Sequence, residues 1–257
     1  MAAYEDISAR LEKGIVRITI ERPARLNAYR NQTADELLDA LRRADENADA
    51  RAIILTGTGR AFGAGYDLST IGPDETPQLE RVLEQHFNPL IRQMRSTRLP
   101  IISQVNGPCA GAAVGVALAG DIVLAARSAY FYEPFVGIAL VPDAGNTLFL
   151  SRLAGRARAA PMMMLGDRVS AEEARDWGLI WRVCDDAELP AEADRIAAAL
   201  AARAPAALAA TKRLIASASD FGIDAQLDLE RDLQGIAGRT QEMKQAIAAF
   251  FAARKAL

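Results

Sequence analysis

The chain carries two glycine-rich stretches, AFGAGYDL at residues 61–68 and VNGPCAGAAVG at residues 105–115. Each stretch comes at the end of an apolar run that is typical of a buried strand, residues 52–56 and residues 100–105. Small residues after a strand allow a ligand to approach the backbone closely and leave N–H groups available to bind it. On neighbouring strands, two such turns aim two N–H donors at one oxygen, which is the arrangement of an oxyanion hole. The alternative is that both stretches are only tight connections between a strand and a helix.

On either side of the two stretches, strands and helices alternate along the chain. Residues 7–21 alternate between polar and apolar side chains around Lys13 and Gly14, which predicts a β-hairpin. Further strands are predicted at residues 52–56, 100–105 and 122–126. Helices fall between them, the first with Thr33 as its N-cap and the second at about residues 78–97. This alternation is typical of an α/β fold with a parallel sheet.

Beyond about residue 145 the pattern becomes almost entirely helical. Helices are predicted at residues 146–153, 157–165, 189–202, 205–217, 223–237 and 240–255. We therefore divide the chain into an α/β core domain at residues 1–195 and a helical C-terminal region at residues 196–257.

The composition argues against several classes of protein. A chain of 257 residues with a net charge of −3 suits a globular protein without the basic surface that nucleic acids require. Its longest stretch of low charge, residues 99–120, is broken by Asn106, Gly107 and Pro108, which argues against a membrane span. The N-terminus is too polar for a signal peptide and the two cysteines give no disulfide framework, so we expect a cytoplasmic protein.

Several common catalytic sites are excluded because their residues are missing from the sequence. The chain has a single histidine, His86, so it contains neither an HExxH motif nor a His/Cys cluster, and we predict no metal site. The GxSxG, GxxxxGK(S/T) and GxGxxG motifs are also missing, which argues against a serine hydrolase, a phosphate-binding loop and a dinucleotide cofactor. His86 is predicted to be a half-exposed helical residue, with a place in a ligand pocket as the alternative.

The two stretches resemble the signature segments of the crotonase, or enoyl-CoA hydratase/isomerase, superfamily. The resemblance continues through DIVLAARSAYF at residues 121–131, LVPDAGNTLFLSRLAGRARA at residues 140–159 and SAEEARDWGLIWRV at residues 170–183. It implies a β-β-α superhelix core with a helical C-terminal trimerisation region, and trimers that often pair into hexamers. It also implies an acyl-CoA thioester as substrate, with coenzyme A as part of that substrate and no separate cofactor.

The resemblance also assigns catalytic backbone groups and a set of binding residues. In the family, the oxyanion hole is formed by two N–H groups whose positions match Tyr66 and Ala112. The residues assigned to the substrate and its coenzyme A are Arg25, Leu26, Ala28, Ala64, Asp67, Leu68, Gly111 and Phe135. For Asp67 the alternative is a cap on the connection that follows it. The bulky side chain of Tyr66 either narrows the pocket or stacks on the acyl group.

The acids and bases of this family vary, and the residues at their positions favour an isomerase. Hydratases of the family use two glutamates, and the matching positions here are Gly115 and Phe135. Glu133 lies just upstream of the second position and is predicted to point elsewhere. One acid remains, Asp143 in LVPDAG. It resembles the single carboxylate of the isomerase branch, in particular that of the phenylacetate-pathway isomerases acting on epoxide- or oxepin-CoA.

With one carboxylate, the predicted chemistry is a proton shuttle. Asp143 removes a proton from the acyl chain, the two N–H groups hold the thioester enolate, and the same carboxyl returns the proton at another carbon. Apolar neighbours such as Val141 and Pro142 would raise the pKa of such a base toward neutrality. One alternative is that Asp143 only N-caps the helix that begins near Asn146. Two others are a hydratase that uses Glu133 or Asp143 in a rearranged way, and a protein that binds acyl-CoA without turnover.

Overall fold

The computed structural model describes residues 3–72 and 77–255. In these ranges the strands are β1 (Ile7–Glu12), β2 (Ile15–Ile20), β3 (Ala52–Gly57), β4 (Ile101–Val105), β5 (Cys109–Ala110), β6 (Ile122–Ala126), β7 (Tyr130–Tyr132), β8 (Val169–Ser170) and β9 (Arg182–Cys184). The α-helices are α1 (Asn31–Glu46), α2 (Leu79–Val82), α3 (Asn88–Ser96), α4 (Ala112–Leu118), α5 (Asn146–Leu153), α6 (Arg156–Leu165), α7 (Ala171–Asp176), α8 (Leu189–Ala201), α9 (Pro205–Ser217), α10 (Ile223–Ala237) and α11 (Gln241–Lys255). Shorter helical segments are the 3-10 turns Pro23–Arg25, Leu68–Thr70 and Phe135–Ile138 and the π-helical turn Leu83–Phe87. None of the helices in these ranges combines the length and the apolar character needed to cross a bilayer.

The central sheet has six strands, in the order β1-β2-β3-β4-β6-β9. β1 and β2 form the predicted antiparallel hairpin, and every later neighbouring pair is parallel. β3 and β4 are buried along their whole length, as expected for a parallel sheet that is covered on both faces. Because these two strands are parallel neighbours, the glycine-rich stretches that follow them leave the sheet at the same edge. The second stretch then begins a small sheet of order β5-β7-β8.

Helix α8 packs against four strands of the central sheet, β2, β3, β4 and β6. The predicted domain boundary between residues 195 and 196 falls inside this helix, so the structure places all of α8 with the core. The helices after it, α9 and α10, pack against each other.

A buried lysine attaches α9 to the core. The ammonium group of Lys212 donates to the backbone oxygens of Met94 and Leu99, both at 3.0 Å. It also lies 2.8 Å from a carboxylate oxygen of Asp121. Burial lowers the pKa of Lys212, and the charge of Asp121 acts in the opposite direction. The ammonium group is therefore held inside the protein by an opposite charge and by two carbonyls.

The structure confirms the α/β fold and most of the predicted elements. Strand β6 and helices α5, α9 and α10 have the predicted bounds. The prediction of Thr33 as the N-cap of α1 was wrong. The helix begins earlier, at Asn31, and its N-cap is Arg30. Thr33 instead accepts the backbone N–H of Arg30 at 3.1 Å and donates to Asp6 at 2.5 Å. Strands β5, β7 and β8 escape prediction because strands of two or three residues show no periodicity.

We expect Lys212→Ala to lower the free energy of unfolding by about 1–3 kcal/mol, because it leaves the backbone oxygens of Met94 and Leu99 without this donor and Asp121 with only the more distant Arg95, at 3.7 Å. Urea denaturation followed by circular dichroism measures this loss. The control is Lys244→Ala, since Lys244 is exposed on α11, and its effect should stay within about 0.5 kcal/mol. Equal unfolding midpoints for the two variants would contradict an anchoring role of Lys212.

Candidate active site

The two glycine-rich stretches lie side by side, as the sequence predicts. The N–H of Gly63 donates to the oxygen of Pro108 at 3.2 Å, and the N–H of Ala110 donates to the oxygen of Gly63 at 2.9 Å. Further along, Gly65 and Gly111 have φ angles of +87° and +55°, in the region that glycine favours. A Cβ atom on Gly65 would lie 3.1 Å from the oxygen of Ala110, so these turns meet without room for a side chain.

The backbone pairing of the first turn leaves the N–H of Tyr66 free to bind a ligand. Tyr29 and Tyr66 form a parallel β-bridge. In it, Tyr29 donates to the oxygen of Gly65 at 2.7 Å and accepts from the N–H of Asp67 at 2.8 Å. Because backbone groups of successive residues in an extended segment point to opposite sides, the N–H of Tyr66 faces away from Tyr29. No acceptor for it is found among the described residues.

The N–H of Ala112 is left available by the start of α4. Gly111 donates to the oxygen of Tyr132 and accepts from the N–H of Val114, both at 2.9 Å. Ala112 is the first residue of the helix, where backbone N–H groups have no partner within the helix. The side-chain amide of Asn146 donates to the oxygen of Gly111 at 3.0 Å and fixes the turn from the other side.

Both turns border one cavity of about 660 Å³. Seven of the residues predicted for the site line it: Ala64, Tyr66, Leu68, Gly111, Ala112, Phe135 and Asp143. The rest of the lining is mostly apolar and includes Ile71, Val82, Leu83, Phe87, Ile138, Leu140 and Val141. Among the described lining residues, Asp143 is the only one that carries a carboxyl group. The cavity therefore combines two turns with available N–H groups, one acid and an apolar wall.

Asp143 does not cap α5. Gly145 is the N-cap of that helix, with a φ of +82°, and no side-chain hydrogen bond caps it. One carboxyl oxygen of Asp143 is buried, and no hydrogen-bond partner for it is found in the described part of the chain. Burial raises the pKa of Asp143 to about 6, although its own backbone N–H acts to lower it. The capping alternative is therefore wrong, and the carboxyl group has the electrostatic character of a base that works near neutral pH.

The other predicted binding residues lie outside the cavity lining. Asp67 caps the 3-10 turn Leu68–Thr70, accepting from Ser69, and it also accepts from the Arg22 guanidinium at 2.8 Å. Arg25 is exposed at the end of the turn Pro23–Arg25. Of the two remaining residues, Leu26 is half-buried and Ala28 is buried. The segment that carries Arg25, Leu26 and Ala28 borders the site through the pairing of Tyr29 with Tyr66.

Sequence reasoning missed Asn27, which joins that segment to the first glycine-rich turn. Its side-chain amide is buried and donates to the oxygens of Thr58 at 2.9 Å and Ala61 at 2.7 Å, while its oxygen accepts from the N–H of Arg22 at 2.9 Å. Its φ of +55° is a conformation that asparagine tolerates better than most residues. A lone asparagine in a loop gave no signal that it would be buried.

The aromatic side chain of Tyr66 belongs to the cavity wall. Its ring stands edge-on to Phe87, with ring centroids 5.9 Å apart, and its hydroxyl donates to Asn31 at 3.2 Å. His86, the neighbour of Phe87, does not line the cavity. It is half-buried on the helix surface with Nδ1 2.7 Å from a carboxylate oxygen of Asp35, so the prediction of a half-exposed helical residue is confirmed.

Comparison with known proteins gives matches over nearly the whole chain. Residues 10–257 match the profile of a family described as Enoyl-CoA hydratase/isomerase. A relative from Escherichia coli (strain K12), named 1,2-epoxyphenylacetyl-CoA isomerase, is 42% identical over 97% of this chain and 97% of its own. A short-chain-enoyl-CoA hydratase from Clostridium acetobutylicum is 31% identical over 93% of this chain and 91% of its own. The solved structure of an enoyl-CoA hydratase from Bacillus anthracis is similar with a TM-score of 0.93, at 28% identity over 97% of both chains.

We expect Asn27→Ala to lower the free energy of unfolding by about 1–3 kcal/mol, because it leaves the oxygen of Thr58 and the N–H of Arg22 without this partner and the oxygen of Ala61 with only its longer bond from Asn106, at 3.3 Å. The loss is measured by urea denaturation. Gln85→Ala is the control, since it removes an amide from an exposed helical position and should change stability by less than about 0.5 kcal/mol. A loss below about 1 kcal/mol for Asn27→Ala would contradict its role in holding the turn.

Proposed function

This chain belongs to the enoyl-CoA hydratase/isomerase family, and from that premise we propose that it is an acyl-CoA isomerase with Asp143 as its single proton shuttle. The observation that carries the proposal is the position of Asp143 as the only carboxyl group among the described residues of the cavity lining. It shares that cavity with Tyr66 and Ala112, whose N–H groups have no other acceptor in the described residues.

In the proposed mechanism, the thioester oxygen accepts hydrogen bonds from the N–H groups of Tyr66 and Ala112. Asp143 removes a proton from a carbon of the acyl group, and the negative charge moves onto the thioester oxygen as an enolate. Each N–H donor contributes about 2.7–4 kcal/mol to such a transition state. The carboxyl group then returns the proton at another carbon, so that a double bond shifts. In a strained ring the enolate instead collapses by breaking the neighbouring C–O bond, and the carboxyl group returns the proton to the oxygen that is released; neither outcome changes the mass.

The positions of the hydratase glutamates support an isomerase over a hydratase. A Cβ atom on Gly115 would lie 2.2 Å from the backbone oxygen of Ala144, so a glutamate does not fit there without a movement of the Asp143 turn. Phe135 occupies the second position and lines the cavity with a ring instead of a carboxylate. An attacking water would find one carboxylate where the hydratases of the family use two.

The substrate of the proposed reaction is an acyl-CoA with an apolar, ring-derived acyl group. The apolar lining with the rings of Tyr66, Phe87 and Phe135 supports this choice. The name of the relative at 42% identity supports it as well, since that protein is named for an epoxide of phenylacetyl-CoA. We assign contacts with coenzyme A to Arg25, Leu26 and Ala28 and expect no cofactor beyond the coenzyme A of the substrate.

We further propose that the protein assembles as a homotrimer or as a pair of trimers. Helices α9, α10 and α11 and the connection between α9 and α10 leave large apolar side chains exposed, among them Ile215, Phe221, Ile223, Leu227, Ile236, Phe250 and Phe251. A single chain rarely exposes so much apolar surface unless another molecule covers it. A second copy of the same helices offers the matching apolar surface.

The first experiment compares the wild type and Asp143→Asn on 3-enoyl-CoA and 2-enoyl-CoA, with products resolved by mass. We expect the wild type to rearrange the 3-enoyl substrate without a change in mass, and Asp143→Asn to lower kcat by about 10²–10⁴-fold. Asp167→Asn, at an exposed position outside the cavity, should keep full activity. If the 2-enoyl substrate instead gains one water and Asp143→Asn still turns it over, the proposed mechanism is wrong.

Light scattering coupled to size-exclusion chromatography tests the assembly. We expect a particle with three or six times the mass of the chain. Ile223→Glu places a charge at a side chain that is 71% exposed on α10, and it should lower this mass if α10 lies in the interface. A wild-type protein that elutes with the mass of one chain would contradict the proposal.

A further inference from the structure

Glu133 is a buried acid that the proposed mechanism does not use. Its side chain is 0% exposed, and neither carboxyl oxygen has a hydrogen-bond partner among the described residues. It follows the last residue of β7 and precedes Pro134 and Phe135, which line the cavity, although Glu133 itself does not. Buried carboxyl oxygens without a partner are rare in folded proteins, so this group calls for a physical reason.

The groups around Glu133 are neutral or acidic. Asp143, from the turn before α5, acts on Glu133 through its negative charge, and Glu133 acts in the same way on the thiol of Cys109 in β5. Next to Cys109 is the buried hydroxyl of Tyr29, which also has no partner among the described residues. The residue that packs on the backbone oxygen of Glu133 is Gly166.

Arg168 does not compensate the charge of these acids. Arg168, just after Gly166, is exposed and lies over the rings of Tyr130 and Tyr132, 4.6 Å and 5.9 Å from their centroids. No lysine or arginine contributes to the pKa of Glu133 or of Asp143. Neither acid is therefore neutralised by a lysine or arginine of the described residues. Both belong to the same wall, since Asp143 lines the cavity and Glu133 directly precedes Pro134 and Phe135, which line it.

Two neighbouring carboxyl groups in such a region cannot both ionise near neutral pH. The acid that borders the cavity ionises at lower pH. Here that acid is Asp143, because Glu133 is fully buried and does not line the cavity. Burial has the larger effect on Glu133 and the negative charge of Asp143 the smaller one, and together they raise the pKa of Glu133 to about 9. This lies above the pKa of about 6 that burial gives Asp143.

We propose that Glu133 is a positioning residue for Asp143, which keeps its own proton at neutral pH so that Asp143 is the one ionised carboxylate at the cavity. Glu133 touches no substrate in this proposal. Its ionisation at alkaline pH adds a second negative charge behind the base and opposes the negative charge that develops on the thioester enolate. Turnover therefore falls when Glu133 ionises. The inference rests on the proposed function of Asp143.

The experiment compares the pH dependence of kcat/KM for the wild type, Glu133→Gln and Glu46→Gln. Glu46→Gln makes the same chemical change at an exposed position on α1. We expect kcat/KM of the wild type and of Glu46→Gln to fall below about pH 6 and above about pH 9. One pH unit above the alkaline midpoint, kcat/KM should be about tenfold lower than its maximum. Glu133→Gln should keep the acid limb and lose the alkaline one, because glutamine stays neutral.

Two outcomes of this experiment would overturn the inference. An alkaline limb that persists in Glu133→Gln would mean that another group causes it. An acid limb that moves to lower pH in Glu133→Gln would mean that Glu133 already carries a charge at neutral pH, since removal of a neighbouring negative charge makes Asp143 a stronger acid. A merely structural role for Glu133 predicts a lower rate at every pH, with both limbs in place.

A second measurement does not depend on turnover. The infrared spectrum of the wild type without substrate should contain the carbonyl band of a protonated carboxyl group at neutral pH, and this band should disappear as the pH rises through about 9. It should be missing from Glu133→Gln and present in Glu46→Gln. If the wild type lacks the band, the inference is wrong. If the band titrates as expected but the wild type shows no isomerase activity, only the proposed function fails. If Glu133→Gln does not fold, the titration of the carbonyl band in the wild type still tests the inference.

Discussion

The parallel pairing of β3 with β4 is the constraint on which the candidate site depends. It brings the ends of both strands to one edge of the sheet, so that the two glycine-rich stretches pair with each other before they turn away. Glycine is required where they cross. A Cβ atom on Gly63 would lie 2.7 Å from the Cβ of Ala113, and one on Gly107 would lie 2.1 Å from the oxygen of Arg60. The available N–H groups of Tyr66 and Ala112 follow from this close approach of two backbones.

The sequence predicted the parts of the site that depend on local chain geometry. Glycine-rich turns after apolar strands led to the convergent N–H groups, and the resemblance of the LVPDAG segment to an isomerase led to Asp143. The sequence did not predict the burial of Asn27 or Glu133, because burial depends on what packs against a residue from distant segments. It also missed the apolar wall around Val82 and Leu83, since a side chain that faces a cavity has the same helical periodicity as one that faces the core.

The electrostatics of the site show why residue type alone could not identify its acids. Asp6 and Asp67 expose less surface to solvent than Asp143 does. Burial acts to raise the pKa of both, but hydrogen bonds and the charges of Arg22 and, for Asp6, Arg30 lower the pKa below its usual value. Asp143 has no such partner among the described residues, so burial dominates. The same side chain is thus a permanent anion in one place and a titrating group in another, according to whether an arginine reaches it.

The turn that carries Asp143 links the geometry of the site to the reaction proposed for it. Its next residue, Ala144, adopts a φ of +50° and places its backbone against Gly115 of α4. The turn therefore fills the space that a glutamate on α4 would need, while it presents its own carboxyl group to the cavity. A change at position 115 alone would push against the backbone that holds Asp143. For this reason a carboxylate at position 115 and Asp143 in its present place are not compatible without a movement of the turn.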